Sequence, residues 1–138
     1  MQLFFKSDPL SKDDQEKLET HIAQTLKELL NICKPYNIKA LIGSAGAFET
    51  FAGMIDPRLD LIKNKKSTIN LHDYQQLAKK LIKANHDERS NMPGLIPLRV
   101  DMIVMACILT DYILSKLHIR QLKLSSYDLK MGVLQRFV

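Results

Sequence analysis

The chain has 138 residues, 46% of them hydrophobic and 25% charged, with a formal net charge of +5. That composition excludes intrinsic disorder and bounds the chain to one globular domain or part of one. The mild positive charge permits an anionic partner without requiring one. Its single tight cluster, KNKK at Lys63–Lys66, has no interleaved aromatic residues to build a nucleic-acid stacking platform, so no nucleic acid is expected.

The opening stretch MQLFFKSDPL starts abruptly on apolar residues, as a truncation would, and shows no secretory signal. Ser11 is an N-cap, and Asp13, Asp14 and Glu16 favour the positive end of the helix that follows. Leu18, Ile22, Leu26, Leu29, Leu30 and Cys33 recur at three- and four-residue steps, which predicts an amphipathic helix over residues 12–33, ended by Pro35. Ile38–Ile42 is short, apolar and flanked by breakers, a buried strand. A helix with Phe48, Phe51, Ala52 and Ile55 on one side follows Gly46 and stops near Pro57. Lys63–Thr68 reads as a polar loop. Asn70 caps the next helix, with Ile69 and Tyr74 placed as a hydrophobic staple and Leu77, Ala78, Leu81 and Ile82 continuing its apolar face. Asn85–Gly94 is a loop by composition. Leu98–Leu117 is apolar nearly all round from Met102 to Leu109, a helix buried in the protein. Asp101, Asp111 and Lys116 leave it too charged to span a bilayer, so no membrane is expected. Ile119–Leu124 alternates as a strand, and Ser125 and Ser126 cap a last helix.

Cys33 and Cys107 fall on apolar helix faces and read as buried thiols in a reducing cytoplasmic setting. The four histidines lack ligand spacing, so no metal site is expected. Strands separated by helices predict an α/β fold with parallel strands. Two short strands make a poor sheet, however, and the helices carry more apolar surface than two strands can cover. The expectation is an incomplete sheet with few strands and many helices, finished by strands from outside the chain.

The chemistry-bearing stretch is Gly43-Ser44-Ala45-Gly46, two of five glycines between a strand and a helix. Such a loop is either a tight turn or a backbone that a phosphate approaches closely. Arg89 is either a phosphate clamp or a surface arginine. Arg99 and Asp101 head the apolar helix and face different sides, as a cap or as part of a hydrogen-bond network holding the loops. Asp111 is a general base, a metal ligand or a hydrogen-bonded interior carboxylate. His86 and Asp87 read as a solvated loop.

IGSAGAFET, then ERSNMPGLIPLRVDMIVMACILTDYIL, then LKLSSYDLKMGVL together resemble the second half of Ppx/GppA proteins, the exopolyphosphatase / guanosine pentaphosphate phosphohydrolase family. The resemblance runs from about Asp8 to Leu134. It implies the second lobe of an actin/hexokinase/Hsp70-like (ribonuclease H-like) fold, with residues 1–138 forming one domain, the C-terminal lobe of a two-lobed phosphatase. Gly43, Ser44, Ala45 and Gly46 match the family's second phosphate loop, and Arg89 matches the arginine before its Gly-Leu. Arg99 and Asp101 match its Arg-Ala-Asp with Val100 in the middle, and Ser126, Leu129 and Gly132 match its last segment. Ala47, Lys130 and Met131 depart from the pattern, where threonine, arginine and glutamate are usual.

The resemblance implies hydrolysis of the terminal phosphoanhydride of polyphosphate or pppGpp, usually with Mg²⁺. The family's first phosphate loop, Gly-rich loop and catalytic glutamate have no match here. No catalytic residue is therefore expected in this chain, which would be inactive without the N-terminal lobe. The alternatives are a non-catalytic phosphate- or nucleotide-binding module and a self-associating module, such as a homodimer, that completes its sheet with a partner strand.

Overall fold

A computed structural model describes residues 7–60 and 66–137, together with the side chains of all of these except Lys130, Met131 and Phe137. The apolar opening at Met1–Phe5, the cluster residues Lys63–Lys65, and the departing side chains of Lys130 and Met131 lie outside the described set.

Ser11 caps α1 (Lys12–Thr25), its Oγ accepting the Asp14 N–H at 3.2 Å. The expected single helix to Cys33 breaks at Leu26 and resumes as α2 (Lys27–Cys33). Leu18 and Ile22 seat α1 in the core, whereas no residue of α2 is buried, so packing does not hold α2 on the axis of α1. Then come β1 (Ala40–Ser44), α3 (Gly46–Ile55), β2 (Lys66–Ile69) and α4 (Leu71–Lys83). They are followed by α5 (His86–Ser90), α6 (Ile103–Lys116), β3 (Gln121–Ser125) and α7 (Leu129–Leu134).

Four expectations are corrected. Lys66–Ile69 is a strand rather than the end of a loop. A one-turn helix, α5, occupies part of the Asn85–Gly94 loop, closed by a capping box between Asn85 and Glu88. α6 begins at Ile103 instead of Leu98, because Pro97–Arg99 forms a 3₁₀ turn with proline at its first position. Ser126 does not cap α7, which starts three residues later. The Asn70 cap stands: its Oδ1 accepts the N–H groups of His72 and Asp73 at 2.9 and 3.2 Å, and both staple residues, Ile69 and Tyr74, are buried.

The sheet order is β1-β3-β2, with β1 and β3 parallel, as expected, and β2 antiparallel on the far edge. Gly43, Leu122, Leu124 and Ile69 are buried on the face covered by helices, where they join Phe51, Tyr74, Leu81, Ile103 and Val104 in the core. The opposite face is open, and Ile42 on it is 64% exposed. Leu29 and Ile32 of α2 and the following Tyr36 are also exposed. Cys107 is buried, but Cys33 is only part-buried, because α2 is unpacked; both are free thiols. Among the described residues, no helix is long and apolar enough to cross a membrane.

Asp111 is a part-buried carboxylate on α6. It faces α4, where the buried Tyr74 hydroxyl donates to the Cys107 carbonyl at 3.2 Å and also interacts with the Asp111 carboxyl. One phenolic proton cannot fully satisfy two acceptors. Burial raises the Asp111 pKa, against the opposing pull of Tyr74 and Lys79, and burial also raises those of Tyr74 and Cys107. A carboxyl with a raised folded pKa binds more protons folded than unfolded. Its contribution is therefore fully present below about pH 4 and is lost as pH rises through the folded value. Asp111→Asn keeps a donor for Tyr74 and never ionises. The variant should melt higher at pH 7, by no more than about 1 kcal/mol after allowance for solvent screening, and thermal melts from pH 4 to 8 should show a flatter stability profile than wild type.

Candidate functional site

Parallel pairing sets Ser44 beside Ser125, so the turn into α3 and the segment from Ser125 to Asp128 leave the sheet at the same carboxyl end. Crevices at that end of parallel strands are where α/β folds hold ligands. Ser126 follows Ser125 at the end of the sheet where the Gly43–Gly46 loop also leaves.

The two glycines have separate packing reasons. A Cβ on Gly43 would sit 2.0 Å from Cγ of Phe48 and 2.1 and 2.2 Å from its Cδ atoms. Phe48 leans edge-on against Phe51 with centroids 5.7 Å apart, and Phe51 leans against Tyr74 at 5.1 Å. Gly43 thus admits an aromatic ladder that ties the turn to the core. A Cβ on Gly46 would sit 2.3 Å from Nη2 and 2.5 Å from Cζ of Arg99. Gly46 is therefore bare so that a guanidinium can lie against the first residue of α3.

Between them, Ala45 has φ 61° and ψ −176°, a region that only glycine enters without strain. Ala45 is the N-cap of α3 and offers no side-chain acceptor, so the helix start is left without a side-chain cap. Phe48 and Glu49 donate to the Ala45 carbonyl at 3.1 and 3.4 Å, and Glu49 supplies a negative charge to the first turn. An uncapped helix start next to an arginine favours an anion.

Arg89 is not placed as a phosphate clamp or as a surface residue. It is 6% exposed, and each of its three nitrogens donates to a group within the protein. Nε donates to the Val100 carbonyl at 3.1 Å, Nη1 to the Ala84 carbonyl, and Nη2 to the Asp8 carboxylate at 3.0 Å. Asp8 also accepts the backbone N–H of His86. Arg89 thus fastens the end of α4 and the N-terminal segment to Val100, the residue after Arg99. Asp101 is exposed and 3.4 Å from Nε2 of His86, outside the first turn of α6. His86, expected in a solvated loop, opens α5 and contacts Asp87 as well as Asp101.

Sequence reasoning missed Lys66, which the sheet places opposite Ser125 at the same carboxyl end. Lys66, Ser67 and Thr68 are all polar, so the segment carried no alternating strand signal. Among the described residues no group of three His, Cys, Asp or Glu side chains is arranged to hold a metal ion. Serine hydroxyls beside the loop do not make a Mg²⁺ donor set.

Gly43→Ala should destabilise the fold by about 2 kcal/mol or more in chemical denaturation, because the Cβ meets the base of the Phe48 ring, which cannot swing away. Ala45→Gly should raise stability by about 1 kcal/mol in the same assay by removing the strain at positive φ.

The model of the Ppx/GppA phosphatase family matches residues 1–138. An exopolyphosphatase structure from Cytophaga hutchinsonii superposes with a TM-score of 0.87 at 30% identity, covering 95% of this chain and 43% of that one. The Aquifex aeolicus Ppx/GppA family member superposes with a TM-score of 0.77 at 19% identity, covering 99% and 44%; at that identity it speaks for the fold alone. A Haemophilus influenzae protein bearing an exopolyphosphatase name is 24% identical over 131 residues, which are 95% of this chain and 39% of the relative. The chain spans about two fifths of the length of these relatives and has the α/β fold of one part of their actin-like architecture. With the family match running along its whole length, the chain belongs to the Ppx/GppA phosphatase family.

Proposed function

We propose that this chain is the C-terminal lobe of a two-lobed hydrolase that releases terminal phosphate from polyphosphate or pppGpp, and that it supplies one wall of the cleft. The observation that carries this reading is the Arg99 guanidinium lying against Gly46 at the uncapped start of α3. Backbone N–H groups and a fixed guanidinium there would stabilise charge on the phosphoryl oxygens as water attacks. The carboxylate that orients the water comes, in this reading, from the N-terminal lobe, as do the ligands of any Mg²⁺. Gly43, Ser44 and Ser126 shape the wall, while Arg89 and Asp101 act behind it. Arg89 holds Val100, and through it the backbone that carries Arg99. Asp101 contacts His86 beside that segment.

Among the described residues β1 pairs only with β3, so its other edge is open, and Ile42 on β1 is exposed. That edge suits additional strands of the same sheet. The same feature favours a second reading, a self-associating module whose edge pairs with another copy.

The experiment compares phosphate release from polyphosphate and from pppGpp, with Mg²⁺, by two proteins. One is this chain alone. The other is this chain joined to the stretch of the Cytophaga hutchinsonii enzyme that it does not match. Release by the joined protein only is expected. Release by neither, with concentration-dependent dimerisation of the chain, would favour the second reading. In the active protein Arg99→Ala should lower kcat/KM about 10²-fold, with Arg99→Lys recovering part of the loss.

A further inference from the structure

The open face of the sheet is not apolar throughout. The register lines up Ser44, Ser125 and Lys66 across the three strands at their loop end. One step behind, it lines up Ile42, Lys123 and Thr68. Because side chains alternate along a strand, all six point to the face that carries no helices. A concavity of about 460 Å³ lies here, lined by Ile42, Lys66, Thr68, Lys123 and Ser125 of this face together with Ser67 and Leu124, with no acidic residue among its walls. Neither lysine forms a salt bridge with an acidic partner among the described residues.

Two strand spacings, roughly 10 Å, separate Ser44 from Lys66. A single phosphate seated at the start of α3 does not cover that distance, whereas a chain of phosphoanhydride-linked groups does. Two ammonium groups with hydroxyls between them suit successive phosphates of such a chain, since lysine acts as a flexible point charge. Resting on the phosphate reading above, we propose that Lys66 and Lys123 form a second anion subsite, which holds the phosphates beyond the terminal one and selects extended phosphoanhydride chains over single phosphates.

The test is equilibrium dialysis of this chain with orthophosphate, tripolyphosphate and GTP at low salt. The proteins are wild type, Lys66→Ala/Lys123→Ala, Arg99→Ala, and Lys79→Ala as a remote-lysine control. The double variant should bind tripolyphosphate about five-fold more weakly, leave orthophosphate unchanged and lose its defect as salt is raised. A matching loss for GTP extends the subsite to nucleotide chains, and a loss for tripolyphosphate alone restricts it to inorganic ones. Unchanged tripolyphosphate binding, an equal loss for orthophosphate, or an equal loss in Lys79→Ala overturns the proposal. Circular dichroism melts coinciding with wild type exclude unfolding, which is not expected for side chains on an open face. Arg99→Ala should weaken all three ligands. If it weakens none, the phosphate reading fails by itself, whatever the lysines do.

Discussion

The parallel pairing of β1 with β3 is the constraint on which the rest of the molecule depends. It joins segments far apart in sequence, and the helices between them have to fold back over one face of the sheet while β2 takes its far edge. The register then decides function. Because Ser44 lies opposite Ser125, two loops and the start of α3 share one end of the sheet. A slip of one residue would turn Gly43 away from Phe48 and bring a side chain into the ring's place.

Packing and chemistry are not separate at that end. Gly43 is bare for an aromatic ring and Gly46 for a guanidinium, so the loop is shaped from both sides by side chains that are themselves anchored. Phe48 reaches the core through Phe51 and Tyr74. Arg99 is held through its neighbour Val100, whose carbonyl takes a hydrogen bond from buried Arg89. The strain at Ala45 is stored between these two anchors, where the surroundings over-determine the backbone.

Much of this was legible in the sequence, because periodicity reports burial. α1, α4, α6 and the two parallel strands bury one side or all sides, and their apolar spacing is plain. β2 was not legible, because only Ile69 of its four residues is buried and its pairing partner is remote. α5 was hidden because a five-residue helix leaves no periodic trace, although its Asn85–Glu88 capping box was there to be read. The loop glycines were identified, but their causes were not, since both Phe48 and Arg99 approach through space. Arg89 defeated sequence reasoning in a different way. A loop arginine looks solvent-facing until Asp8, distant in sequence, closes over it, and no local pattern encodes that contact.

The sheet order also sets a sequence of events in folding. β3 is the middle strand, yet it comes last of the three along the chain, and among the described residues both β1 and β2 pair with it alone. Among the described residues, neither β1 nor β2 has its partner until residues 121–125 have been made. The helices between, whose contacts are local, have time to form first, and the non-local pairing closes over them. β1 waits longest for β3, and the edge that β3 will take stays open meanwhile, a site for wrong pairing with other nascent chains.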